Sequence, residues 1–141
     1  MLEVKIKKLV ENAVIPSYAK PGDAAMDLTA ISHKYENGNH IYGTGLAIEI
    51  PNGFVGLIFP RSSNRKTRAY LTNHVGVIDS GYRGEIMITF KNVDLTALEP
   101  YKVGDRVAQL IIMPHPIVEL VEVEELSETE RGTGGHGSTG K

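Results

Sequence analysis

Apolar positions along this chain recur mostly at every second residue. In LEVKI, Leu2, Val4 and Ile6 alternate with Glu3 and Lys5. In GLAIEI the residues Leu46, Ile48 and Ile50 share one parity, and in EIMITF so do Ile86, Ile88 and Phe90. Successive side chains of an extended strand point to opposite faces, so this alternation predicts half-buried strands. FVGLIF (54–59) and VAQLIIM (107–113) are continuous apolar runs, the pattern of strands covered on both faces, and VEVE (121–124) alternates again. Seven prolines and fifteen glycines punctuate these runs, with breaks at KPGD, PNG and DSGYRG. Helical spacing extends nowhere beyond about two turns, and its best candidate lies at 94–98. Many short strands with turn signals between them predict an all-β domain, a sandwich or jelly roll. A small all-β domain must cover its edge strands, so self-association is expected. Past Leu126 the strand pattern stops, which divides a core over 1–126 from an arm over 127–141.

Composition adds mainly exclusions. The 141 residues fit one domain, and 41% hydrophobic with 23% charged residues is a soluble globular balance. A formal charge of −2 offers no electrostatic reason to expect nucleic acid or an anionic membrane as partner. Cysteine is absent, which removes disulfides and thiolate chemistry and leaves a reducing compartment acceptable. MLEVKIKKLV is too regularly charged for a signal-peptide core, and no apolar run reaches membrane-spanning length, so a cytoplasmic location is expected.

The chemistry-bearing stretches start with the arm. RGTGGHGSTG (131–140) is half glycine. One reading is a disordered terminus. The other is a lid: glycines let backbone N–H groups turn toward an anion, Arg131 offers a bidentate fork, and Ser138 and Thr139 add hydroxyls. His136 supplies a flat ring that can stack on a base. Ten flexible residues have a root-mean-square reach of roughly 17 Å, enough to touch a neighbouring subunit. GVIDSGYRGEI (76–86) reads as a hairpin with a polar tip at Asp79, Ser80 and Gly81. There Asp79 can take a proton and the Tyr82 ring can pack on a sugar. PRSSNRKTR carries four basic residues between Arg61 and Arg68. It is either a solvated loop or, because it follows a buried strand, a place where Arg61, Ser62 and Ser63 hold phosphate. In GDRVAQLII, Gln109 is a lone amide in an apolar strand and needs a backbone or ligand partner. In PGDAAMDL, Asp23 and Asp27 flank a turn, one of them structural and the other facing a metal's hydration shell. His33, His40, His74 and His115 show no metal-ligand spacing, which predicts no zinc.

PGDAAMDL, PRSS, GVIDSGYRGEI, GDRVAQLII and RGTGGHGSTG occur in the order of the five motifs of the trimeric deoxyuridine triphosphate nucleotidohydrolase (dUTPase) family. The chain resembles that family from about residue 15 to residue 140. The resemblance implies an all-β jelly roll of the β-clip type with a flexible Gly-rich C-terminal arm. It also implies a homotrimer with three sites at subunit interfaces, each closed by an arm. The implied reaction is hydrolysis of dUTP to dUMP and pyrophosphate with Mg2+ on the triphosphate, which limits uracil in DNA and supplies dUMP for thymidylate synthesis. Asp79 matches the aspartate that positions and deprotonates the attacking water. Tyr82 matches the tyrosine that floors the deoxyribose and leaves no room for a 2′-hydroxyl. Asn73, with Gly76 and the backbone of Val77, Ile78 and Met87, matches the segment that reads uracil. Arg61, Ser62, Ser63 and Gln109 match phosphate-facing residues. Arg131, His136, Gly137 and Ser138 match the arm's ligand contacts, and Asp27 matches the acid that meets magnesium through water. Two departures stand out. His136 replaces the arm's usual phenylalanine, and Ser63, Asn64 and Arg65 replace the usual Gly-Leu-Ala, so a different loop is expected there. Two alternatives fit the same stretches: the related dCTP deaminase, for which no acid–base residue beside the base amine is evident, and a dUTP-binding regulatory protein.

Overall fold

The computed structural model of the chain describes residues 1–138 and Gly140. Its strands are β1 (Lys5–Lys8), β2 (Met26–Thr29), β3 (Ser32–Glu36), β4 (Asn39–Gly43), β5 (Leu46–Glu49), β6 (Phe54–Phe59), β7 (Ala69–Leu71), β8 (Gly76–Ile78), β9 (Met87–Asn92) and β10 (Arg106–Pro114). They form a four-stranded sheet in the order β2-β10-β6-β8, a second in the order β3-β4-β9-β7, and the pair β1-β5. Every pairing is antiparallel. One apolar cluster joins them, with Leu28, Ile58 and Leu110 from the first sheet, Tyr42, Ile88 and Phe90 from the second, and Ile48 from β5. This is an all-β jelly-roll sandwich.

Two alternating runs land as expected, with Leu46, Ile48, Ile50, Ile86, Ile88 and Phe90 all buried, whereas LEVKI is strand only from Lys5, with Leu2 exposed and Val4 and Ile6 half-buried. FVGLIF is β6 residue for residue, and the second continuous run lies within β10. Both are inner strands of their sheet, and within each run no residue from Phe54 to Phe59 or from Val107 to Ile112 is exposed, so both faces are at least partly covered. Asn37 and Gly38 join β3 to β4 with φ of 52° and 78°, the left-handed pair that a tight hairpin demands.

Three expectations fail, each for a physical reason. VEVE forms no strand: the segment after β10 is exposed and without regular structure, and among the described residues no strand pairs with it. The 94–98 stretch forms bends instead of a helix. Asp94 Oδ1 accepts the Thr96 hydroxyl at 2.7 Å, Asp94 also pairs with Arg68 at 2.9 Å, and the Asn92 amide donates to the Thr96 and Leu98 carbonyls. Such local side-chain bonds compete with helical ones. GVIDSGYRGEI is not a hairpin: β8 pairs with β6 in one sheet, while β9 pairs with β4 and β7 in the other. Residues 79–86 therefore cross from sheet to sheet. Among the described residues no helix is long and apolar enough to cross a membrane.

Candidate functional site

The crossing from β8 to β9 makes a cleft of about 330 Å³ lined by Val77, Ile78, Asp79, Tyr82, Met87 and Thr89. A smaller recess of about 150 Å³ adjoins it, sharing Met87 and Thr89 and adding Asn73 and Gly76. Sequence reasoning placed Asn73, Gly76, Val77, Ile78, Asp79, Tyr82 and Met87 together, and the structure does so. β8 is the edge strand of its sheet, so one side of its backbone lacks a neighbouring strand and presents donors and acceptors outward. Val77 is 60% exposed and Met87 55%. Gly76 is needed for close approach, since a Cβ there would sit 3.1 Å from Cβ of Ile58 on β6. Asp79 is exposed and opens a turn in which its carbonyl accepts the Tyr82 N–H at 3.1 Å. The Tyr82 hydroxyl donates to the Glu85 carbonyl at 2.9 Å, and Arg83 ties the turn by donating to Ser80 O at 2.6 Å.

The phosphate-facing candidates gather elsewhere, where β2, β6 and β10 lie side by side. Arg61 follows the last residues of β6 and donates from Nε to Asp27 Oδ1 at 2.7 Å and from Nη1 to Ser63 Oγ at 3.1 Å. Arg106, at the start of β10, donates to the other oxygen of Asp27 at 3.2 Å. Asp27 thus bridges two guanidinium groups and orients both. Sequence reasoning missed Arg106, although a cation heading the fourth motif's strand was a readable signal. Gln109 Nε2 donates to the Pro60 carbonyl at 3.1 Å, so a neighbouring backbone satisfies the lone amide. Asp23 is the structural member of its pair, accepting the Lys20 N–H at 2.8 Å and closing the turn. Ser62 and Ser63 begin a 3-10 turn over Ser62–Lys66. Asn64 holds it: Oδ1 accepts from the Tyr101 and Thr67 hydroxyls, and Nδ2 donates to Ala69 O. An open cleft of about 660 Å³ lies beside this group, lined by Ser17, Asp23, Asp27, Pro60, Gln109 and Ile111.

The two groups stand apart within one chain. Ile78 lies opposite Gly56, so Asp79 follows at the Phe54 end of β6, whereas Arg61 follows Phe59 at the other. Five residues from Gly56 to Arg61 at strand rise span roughly 17 Å. The arm joins neither group. Its hydrogen bonds among the described residues run within 129–140, including Arg131 Nε to Gly134 O at 3.0 Å. His136 and Ser138 are exposed, and His136 and Gly137 have left-handed φ of 52° and 82°. Thr139 lies outside the described residues.

His33 and His40 bond to each other rather than facing either group. His33 Nε2 and His40 Nδ1 are 3.1 Å apart, Glu99 lies 3.4 Å from the other nitrogen of His33, and His40 Nε2 meets the Asn92 amide at 3.3 Å. Burial and the neighbouring His33 lower the pKa of His40, against a smaller opposing pull from Glu99.

Comparison with known proteins matches this geometry to a single family. The dUTPase family profile matches residues 11–140. The deoxyuridine 5′-triphosphate nucleotidohydrolase of Rhodococcus erythropolis is 40% identical over 99% of this chain and 87% of its own length. That of Nautilia profundicola is 44% identical over 99% of this chain and 100% of its own. Among solved structures, the Staphylococcus bacteriophage 80alpha dUTPase with dUpNHpp superposes with a TM-score of 0.85 at 29% identity, covering both chains completely. A mutant dUTPase from phage phi11 of S. aureus, whose structure describes coordination of a structural Mg(II) ion, gives a TM-score of 0.74 at 28% identity over 88% of this chain and 98% of its own. With its five motifs in order on a jelly roll that matches across its length, the chain belongs to the dUTPase family.

Proposed function

We propose that this protein hydrolyses dUTP to dUMP and pyrophosphate, at sites completed between the subunits of a homotrimer. The observation that carries the reading is the 77–89 cleft, where an exposed carboxylate, a tyrosine ring and an unpaired strand edge converge. The edge backbone of Val77 and Ile78, with Asn73 and Met87, reads the uracil. Its fixed pattern of donors and acceptors rejects cytosine by leaving like groups opposed. Tyr82 floors the deoxyribose. Asp79 takes a proton from water as that water's oxygen bonds to the α-phosphorus. The bond from that phosphorus to the bridging oxygen breaks, and pyrophosphate departs. A carboxylate is a weak base, so alignment and cationic groups around the phosphates supply much of the acceleration.

Arg61, Arg106, Ser62, Ser63 and Gln109 form the phosphate-facing set. Since it lies roughly 17 Å along β6 from the Asp79 end, a nucleotide bridging both is best served when the set comes from another protomer. The chain beyond β10 supports assembly, because Ile117, Leu120 and Leu126 are each more than 85% exposed on a segment without regular structure. A protomer with that much free apolar surface gains by burying it against a copy of itself. The core over 1–126 then carries the site, and the arm over 127–141 acts as the lid, with Arg131, His136, Gly137 and Ser138 closing on substrate.

The donor set suits magnesium held at one remove. Both Asp27 oxygens already accept from guanidinium groups, and the described residues include no cluster of three or more His, Cys, Asp or Glu side chains suited to a cage. Asp27 retains lone pairs for the ion's water shell, in keeping with magnesium's reluctance to dehydrate. When bound, magnesium would supply positive charge to the phosphates, with Asp27 holding its water shell.

The test is pyrophosphate release with Mg2+ from dUTP, dCTP, dTTP and UTP. Release should be confined to dUTP, with no ammonia from dCTP. Asp79→Asn should lower turnover by about 10²–10⁴-fold while dUTP still binds. Wild-type protein that binds dUTP without releasing pyrophosphate would establish the regulatory reading instead.

A further inference from the structure

Glu85 stands at the end of the crossing that carries Asp79 and Tyr82, yet its carboxylate is turned to a different element. Its Oε1 accepts the N–H of Gly45, in the link between β4 and β5, at 2.8 Å. The carboxylate occupies a slot left open by Gly43, where a Cβ would lie 2.7 Å from the same oxygen. The next residue is fastened to the same link by backbone: Ile86 N donates to Leu46 O at 2.8 Å, and Ile86 O accepts the Thr44 hydroxyl at 2.7 Å. The peptide between Glu85 and Ile86 is thereby held from both sides. Its carbonyl, that of Glu85, accepts the Tyr82 hydroxyl. The ring also lies across Gly84, where a Cβ would sit 2.5 Å from the hydroxyl oxygen.

We propose that Glu85 is the positioning residue for Tyr82 and so sets how strictly a deoxyribose is preferred to a ribose. The inference rests on the reading that Tyr82 floors the sugar. A ring that excludes one hydroxyl must be held to a fraction of an ångström, and such tolerance comes from the groups behind the contact. Glu85 supplies that hold at the hydroxyl end of the ring through a charge-assisted bond to a backbone N–H, whereas Arg83 ties the backbone of the turn, donating to Ser80 O and to Tyr82 O at 3.0 Å.

The experiment compares kcat/KM for dUTP and for UTP in wild type, Glu85→Ala, Glu85→Gln and Tyr82→Ala. Glu85→Ala should lower the dUTP:UTP ratio at least tenfold, chiefly through better use of UTP. Glu85→Gln keeps an acceptor for Gly45 N–H and should stay within about threefold of wild type. A loss of folded protein lowers both activities together and leaves the ratio alone, so the ratio separates positioning from mere stability. Tyr82→Ala sets the scale. If it leaves the ratio unchanged, the sugar-floor reading fails. If it lowers the ratio while Glu85→Ala does not, or if Glu85→Gln behaves like Glu85→Ala, the positioning role is overturned. Should Glu85→Ala not fold, Tyr82→Phe carries the test, since it removes only the hydroxyl that meets the Glu85 carbonyl. A wild-type ratio in that variant overturns the claim.

Discussion

At the scale of single residues, the molecule spends its buried polar groups on holding loops in place. Tyr42 is fully buried, yet its hydroxyl donates to Tyr101 O at 2.7 Å and accepts Tyr101 N–H at 3.1 Å, fastening the loop before β10 to β4. Burial pushes its phenol up to about 12, so it stays neutral throughout the physiological range. His40, 1% exposed, has a less secure position. Its folded-state pKa is lowered by burial and by His33, so the unfolded chain takes up a proton at a higher pH than the native one does. The stabilisation is fully present above the unfolded value of about 6.5 and is lost as pH falls from there through the folded value. Denaturant midpoints at pH 7.5 and 5.5 should show a smaller drop for His40→Gln than for wild type, and equal drops would contradict this assignment. From sequence the two histidines showed only a lack of metal-ligand spacing. Their pairing depends on β3 and β4 lying side by side with His33 opposite Tyr42 and Tyr35 opposite His40, a matter of register rather than of residue type.

At the scale of elements, two segments behave differently once the sheets are assembled. VEVE has strand periodicity but no partner strand among the described residues, and periodicity cannot supply a neighbour. The 76–86 stretch has strand–turn–strand composition, but β8 pairs with β6 and β9 with β4 and β7, so its two ends belong to different sheets. The sheet crossing creates the cleft that a simple hairpin would lack. Composition alone sets the 131–140 run apart, since a run half glycine with no apolar residue has nothing to bury. Truncation after Glu130 should lower kcat/KM for dUTP by at least tenfold and leave the oligomer intact, as judged by light scattering. Dissociation of the truncated protein would make the arm an assembly element instead of a lid.

The scale of the whole molecule is where the two halves of the candidate site come apart. If Asp79 and Arg61 act from different protomers, the inactive variants Asp79→Asn and Arg61→Ala should rescue each other when co-refolded. Independent choice of chains leaves about a quarter of the sites with both residues intact, so activity should approach that fraction of wild type. Mixed protein as inactive as either parent would place both residues in one chain's site.

Periodicity and punctuation by themselves determined that this chain is all-β, and the five motifs in order carried its resemblance to the dUTPase family and, through it, the candidate site residues. These features depend on alternation along a strand and on local turn chemistry, which neighbouring residues settle among themselves. Only the tertiary structure decided which strands pair, that Asp27 is spanned by Arg61 and Arg106, that the Glu85 carboxylate accepts the Gly45 N–H, and that Arg61 and Asp79 follow opposite ends of β6. Those are contacts between residues tens of positions apart. They arise when sheets choose partners to bury one common core, and no local pattern encodes that choice.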